Sequence, residues 1–233
     1  MAESRAMARD PRIERGLLAQ LTGRHRRLED GESSLGWKLG MGVPAAMERL
    51  GTSAPLVGYL LGSGQVESGA TVEVSAWGNA KLEPEIAAHM GADLRGDASR
   101  ADAEAAIAGF GVAIELVDLD ADETDPEAIL AANIYQRHVL LGPAREGAAL
   151  GDVSARVLVG GSEEASADDA TAATGDPVDL VLHVAATLAT AGETLRAGEV
   201  VICGSVVPAL DVAPGDSVEV VLEPLGSLSV SFA

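Results

Sequence analysis

Glu83 and Glu85 stand two residues apart in Leu82-Glu83-Pro84-Glu85-Ile86-Ala87. In an extended segment that spacing puts both carboxylates on one face. Side by side they repel, and each disfavours ionisation of the other unless a cation intervenes. A hard divalent ion such as Mg²⁺ resolves the conflict, because it prefers oxygen ligands and keeps positions open for water or substrate. Pro84 removes a backbone donor, which favours a sheet edge or a bulge. Glu115 offers a third oxygen ligand. It stands inside the apolar run Ala113-Ile114-Glu115-Leu116-Val117, where a carboxylate must be paired, hydrogen-bonded or on the solvent face. On spacing alone, the competing reading of the pair is two solvent-facing glutamates on a strand. Lys38 is the complementary group. It sits in Gly36-Trp37-Lys38-Leu39-Gly40-Met41-Gly42, a glycine-punctuated stretch that reads as a loop where backbone can approach a ligand closely. A lysine beside a metal and partly out of water can carry a proton in catalysis. The plainer alternative is a surface lysine.

Other chemistry has thinner support. His25, His89, His138 and His183 share no metal-ligand spacing, and no nucleophile elbow, zinc-protease, phosphate-loop or dinucleotide fingerprint is present. Ser205, in Cys203-Gly204-Ser205, has no evident base partner. Cys203 is the only cysteine, which excludes an intrachain disulfide framework and a cysteine zinc cluster. It reads as a small buried hydrophobe. The 233 residues carry 36 acids against 16 lysines and arginines, a formal charge of −20. Such a chain repels phosphates, so nucleic acid and anionic membranes are not its expected partners. No apolar run approaches the roughly 18 residues of a membrane span, and the first residues lack the apolar core of a signal peptide. A soluble, cytoplasmic protein with a small-molecule partner is expected. Only two lysines occur, Lys38 and Lys81, so each is easily singled out.

The elements that must position these groups read as α+β. Pro11 followed by Ile13, Leu17, Leu18 and Leu21 predicts a helix over 11–27, and a second short helix is expected over 44–50. Residues 56–61 fit a strand or a loop. Short strands with turn signals then dominate: 71–76, 114–117, 139–141, 156–159, 199–207, 217–222 and 227–232. Helices are expected at 100–109, 126–134 and 177–191, the last two opened by Asp-Pro. The acidic tracts 118–127 and 163–169 read as solvated loops. The implied division is an N-terminal helical lobe with the lysine loop, 1–62, and a β-rich metal-binding core, 63–233.

Gly36-Trp37-Lys38-Leu39-Gly40-Met41 resembles the G-[WY]-K-[ILV]-G-[LM] motif of the 2-keto-4-pentenoate hydratase and 4-oxalocrotonate decarboxylase family, within the fumarylacetoacetate hydrolase superfamily. Further matches follow in order. Pro55-Leu56-Val57-Gly58 is similar to P-x-[FY]-G, residues 82–87 to V-E-P-E-I-A, and residues 114–118 to L-E-I-[VI]-D. Gly175-Asp176-Pro177, residues 195–201 and Gly204-Ser205 resemble the family's tail, and residues 225–230 its L-G-S-[VI]-S-V ending. Singly these are modest; together they span about 31–232 and are specific.

The resemblance implies a mixed β-roll core with flanking helices and a small N-terminal helical lobe. It implies Mg²⁺ or Mn²⁺ on Glu83, Glu85 and Glu115, Lys38 as the active-site lysine, and Asn133, Tyr135 and Ser205 at the substrate. The expected activity is hydration of an unsaturated 2-oxo acid, of the 2-hydroxypenta-2,4-dienoate type, in a homo-oligomer. Decarboxylation, tautomerisation or a cyclase or lyase step on a specialised metabolite is the alternative; a non-catalytic complex-forming subunit is the third. Departures bear on the substrate. The family's V-D-S-R becomes Val117-Asp118-Leu119-Asp120, and its A-D-N-A-S becomes Ala131-Ala132-Asn133-Ile134-Tyr135. Gly42 and Val207 stand where threonines are common. Together they imply a remodelled substrate wall, and the exchange at Asp120 makes a dicarboxylate a less expected substrate.

Overall fold

In the computed structural model, which describes residues 10–119, 124–147 and 150–233, Asp10 opens the first helix. That helix, α1 (Pro11–Glu29), has the Arg12 N–H donating to Asp10 Oδ1 at 2.9 Å, and Pro11 fills the first turn, where a missing donor costs nothing. There follow β1 (Ser34–Gly40), α2 (Pro44–Leu50), β2 (Leu56–Leu61), β3 (Ala70–Val72), β4 (Ala80–Met90), α3 (Arg100–Ala106) and β5 (Ile107–Asp118). The second half runs α4 (Pro126–Ala131), β6 (Gln136–Leu141), β7 (Ser154–Val159), β8 (Ser162–Ala167), α5 (Pro177–Thr190), β9 (Val200–Ser205), β10 (Leu210–Asp211), β11 (Ser217–Glu223) and β12 (Gly226–Phe232).

Two sheets result, so the α+β expectation holds. One runs β2-β1-β9-β4-β5-β6 with β10 also on β4, and the other runs β3-β12-β11-β7-β8. The larger sheet curls until its outer strands meet. Gln65, just past β2, bridges Val139 of β6, and the Val66 N–H donates to the Val139 carbonyl at 3.0 Å. Its inner face carries the buried cluster Leu60, Ala87, Ala113, Val139, Val200 and Ile202. Strand alternation sends Trp37 and Leu39 of β1 to the opposite face, into a core shared with α1, α3 and α5. The outer face of β4 and β5 packs instead on the smaller sheet. No helix among the described residues is long and apolar enough to cross a membrane.

Several expectations are corrected. The lysine segment is not a loop but strand β1, paired with β2 on one side and β9 on the other. Strands 34–40 and 56–61 therefore share a sheet with β4, β5 and β9. Helix 100–109 stops at Ala106, because Ile107 already begins β5. Helix 126–134 stops at Ala131. Asn133, Ile134 and Tyr135 then have φ of 51°, 50° and 60°, a left-handed turn that cannot continue a right-handed helix. Strand 71–76 shortens to β3. Part of the acidic tract 163–169 is β8, an edge strand whose exposed glutamates discourage further pairing.

One polar cluster fixes β1 in place. Glu199 accepts from Ser34 Oγ at 2.6 Å, from Trp37 Nε1 at 2.9 Å and from the Arg196 N–H at 2.9 Å. The Arg24 guanidinium lies 4.5 Å from the Trp37 ring centroid and 3.5 Å from Glu199. The residue preceding Lys38 is thus held through its ring, which restrains where the lysine emerges.

Candidate metal centre

The β4–β5 register pairs Glu83 directly with Glu115, and Glu85, two residues on, shares the face of Glu83. Carboxylate oxygens of all three lie within 4.8 Å of one another, the one such group among the described residues. Glu85 and Glu115 are fully buried, while Glu83 is half-buried and faces a cleft. The Gly204 N–H donates to Glu85 Oε2 at 2.6 Å; Glu85 Oε1 and Glu115 Oε2 are buried without a hydrogen-bond donor. Pro84 lies within a central strand, not at an edge. Its carbonyl accepts from Val206 at 2.9 Å, so the donor it lacks faces β9, where the ladder shifts between Glu85 and Ala87. That is the bulge alternative.

Burial raises the pKa of all three carboxyls. Glu85 lies well above the ordinary range, through burial and then the charges of Glu115 and Glu83. Glu115 is pushed up to about 7 by burial, against the lowering effect of Lys38. For Glu83, too, burial outweighs Lys38. Three carboxylates, two of them fully buried with orphaned oxygens, and one lysine suit a hard divalent cation with oxygen ligands.

A pH dependence follows. Between the ordinary carboxyl value of 4.5 and about 7, the folded metal-free chain binds more protons at Glu115 than the unfolded chain does. Its stability therefore falls as pH rises through that window. Metal needs the ionised carboxylates, so its binding strengthens over the same range. The gain in Tm on adding Mg²⁺ should grow from pH 5 to 7.5 in differential scanning calorimetry; a constant gain would mean the carboxylates are not the ligands.

Lys38 is 1% exposed, ion-paired to Glu115 Oε1, and its Nζ donates to the Ile134 carbonyl at 3.2 Å. Strands β1 and β5 stand three positions apart in the sheet, about 14 Å if it were flat, so this contact depends on the curl. Two features steer the side chain. Gly58 is opposite Lys38 in the β1–β2 ladder, and a Cβ there would lie 2.8 Å from Lys38 Cγ and 3.0 Å from Asn133 Oδ1. Asn133 in turn clamps Tyr59: the Tyr59 N–H donates to Oδ1 at 2.9 Å and Nδ2 donates to the Tyr59 carbonyl at 3.0 Å. That clamp holds the left-handed turn whose middle carbonyl receives Lys38. Gly58→Ala should cost about 1–3 kcal/mol by overpacking and lower kcat by displacing the lysine. Denaturant titration and kinetics check this; full activity would show that the lysine stem is free to move.

The structure brings together Lys38, Glu83, Glu85 and Glu115, and places Ser205 at the cleft wall, with its hydroxyl donating to the Val207 carbonyl at 2.7 Å. Of these residues Glu83 and Ser205 line the cleft, while Lys38, Glu85, Glu115, Asn133 and Tyr135 do not; Asn133 stands beside the lysine stem, and Tyr135 packs against the cluster of Ile13, Leu50 and Ile129. Asp120 lies outside the described residues. Lys81 is elsewhere, paired with Asp211 on β10. None of the four histidines joins the centre. His183, 2.9 Å from the Pro55 carbonyl, backs the cleft, and burial lowers its pKa. Gly58 and Gly204 stand in quoted motifs without a role, and the Ile134 carbonyl is not singled out at all, because what each does is backbone or steric and carries no side-chain signal.

The family described as fumarylacetoacetate (FAA) hydrolase C-terminal matches residues 40–233. Among similar proteins, a TodF product hydratase of Pseudomonas putida is 31% identical, over 95% of this chain and 84% of its own. A 2-hydroxyhexa-2,4-dienoate hydratase of Comamonas testosteroni is 29% identical, over 88% and 81%. A solved structure of 4-oxalocrotonate decarboxylase from Pseudomonas putida, complexed with magnesium and adipate, superposes with a TM-score of 0.85 at 28% identity, covering 92% of this chain and 83% of that one.

Proposed function

Because this chain belongs to the fumarylacetoacetate hydrolase family, we propose that its carboxylate centre serves a divalent-metal-dependent hydro-lyase, adding water to an unsaturated 2-oxo acid. The observation that carries this reading is the set of Glu83, Glu85 and Glu115 with Lys38 ion-paired to it, Glu83 opening it onto a cleft. Similarity to hydratases supports the reaction class. The three glutamates would hold Mg²⁺, with Mn²⁺ as the second candidate; bound there, the ion would supply a Lewis acid for the oxygens of a 2-oxo acid.

The chain's own residues do the rest. Three carboxylates and one lysine need one divalent cation to reach neutrality, which suits an incoming monoanion. Lys38 Nζ, held between Glu115 and the Ile134 carbonyl, carries the proton exchanged at the carbon next to the keto group, or stands as fixed counter-charge to the substrate carboxylate. Ser205 spends its hydrogen on Val207, so it meets substrate as an acceptor. Asn133 keeps the lysine's carbonyl partner in position, and Tyr135 closes the same left-handed turn. The apolar cluster beneath excludes water from the inner side. A cytoplasmic homo-oligomer goes with this reading; one cysteine suits a reducing compartment.

The test is an ultraviolet assay with enzymatically made 2-hydroxypenta-2,4-dienoate, on chelator-treated protein with and without Mg²⁺, with products identified by mass. Metal-dependent loss of the dienoate absorbance with gain of one water supports hydration. The likeness to 4-oxalocrotonate decarboxylase favours a second reading, loss of carbon dioxide from an unsaturated 2-oxo diacid on the same centre. Carbon dioxide release without hydration would establish that one instead.

A further inference from the structure

We propose that the cleft selects 2-oxo acids with an uncharged, apolar tail and rejects those ending in a second carboxylate. This rests on the reading of the centre as a 2-oxo acid site. The cleft has a volume of about 360 Å³ and takes in Glu83 and Ser205. Its wall is hydrocarbon, with Leu39, Met41, Val43, Pro55, Leu180 and Val207 prominent. Glu83 is the only charged side chain lining it among the described residues, and no lysine or arginine does so. Beyond Glu83 and Ser205, Thr174 adds one hydroxyl.

Two of the donors beside Glu83 are already engaged. The Gly204 N–H is taken by Glu85 Oε2, and the Ser205 hydroxyl by the Val207 carbonyl. His183 behind Pro55 faces that residue's carbonyl, and its burial disfavours the charged form. A carboxylate at the far end of a tail would therefore leave water for hydrocarbon without a cation to meet it, which is costly. An alkyl tail of the same length gains from burial there. The chain's −20 charge adds long-range repulsion of a dianion. In this the chain is set apart from the decarboxylase whose structure holds adipate, a dicarboxylate.

The test compares binding of 2-oxohexanoate and 2-oxoadipate, which differ at the far end of the chain, to the Mg²⁺-loaded protein by titration calorimetry, with pyruvate as the head-group control. The alkyl acid is expected to bind at least about tenfold more tightly than the diacid. Equal or tighter binding of 2-oxoadipate, with pyruvate bound, overturns the tail proposal and leaves the centre's reading intact. Failure of all three to bind overturns both. Ala46→Arg places a cation at the half-buried mouth on α2, and should narrow the gap about tenfold by favouring the diacid. An unchanged ratio there would also overturn the proposal, because the missing cation would not be the cause of the selectivity.

Discussion

Glu85→Gln is expected to abolish metal-dependent turnover while raising the melting temperature of the metal-free protein. Glu85 is fully buried, and its charge faces Glu83 and Glu115 with one lysine to offset three carboxylates. The glutamine keeps an oxygen for the Gly204 N–H, and its amide can donate to Glu115 Oε2, which lacks a donor. Replacing a buried charge by a neutral group that satisfies its neighbours is often stabilising, by about 1–4 kcal/mol. For a chain of this length each 1 kcal/mol shifts Tm by roughly 2–4 °C. Metal affinity should fall by more than the roughly 10–100-fold that changes outside the ligand set cost. Calorimetric Tm with and without Mg²⁺, together with the dienoate assay, checks both halves. Retained Mg²⁺-dependent turnover would remove Glu85 from the ligand set, and a lower metal-free Tm would mean that the carboxylates do not repel.

Lys38→Met has the opposite stability signature. The methionine fills much of the stem's space over Gly58 but leaves Glu115 buried without its counter-ion. Breaking a buried pair by removing one partner costs about 3–5 kcal/mol, so the metal-free protein should melt well below the parent. Added Mg²⁺ restores charge balance, and the Tm gap between metal-free and metal-loaded protein should widen. In Glu85→Gln that gap should vanish. Turnover at saturating Mg²⁺ should drop by about 10²–10⁴, the range for a lost general acid or base. Unchanged kcat at saturating metal would reduce the lysine to a counter-charge for Glu115.

The chemistry-bearing residues were legible because their types are costly anywhere else. A glutamate inside an apolar run must be paired, and two carboxylates at spacing two must share a face if the segment is extended; the structure makes both true, with Glu83 opposite Glu115 across the β4–β5 ladder. The Asp-Pro starts of α4 and α5 were legible for a local reason too, since cap and first turn involve neighbours in sequence. Glycines around Lys38 misdirected the reading towards a loop. In the sheet they relieve crowding: a Cβ at Gly36 would come within 2.0 Å of the Val200 carbonyl oxygen.

By itself, then, the sequence determined which groups could form the centre, the α+β class, and, through motifs in order along nearly the whole chain, the family. Those depend on residue type and on short-range spacing. Tertiary structure alone decided that Lys38 reaches Glu115, that Asn133 serves Tyr59 and lies off the cleft, and that the cleft wall carries no cation among its described residues. The first two depend on the curl that joins β2 to β6. Curl is set by the summed twist and packing of seven strands against two separate cores, and no local pattern encodes that sum.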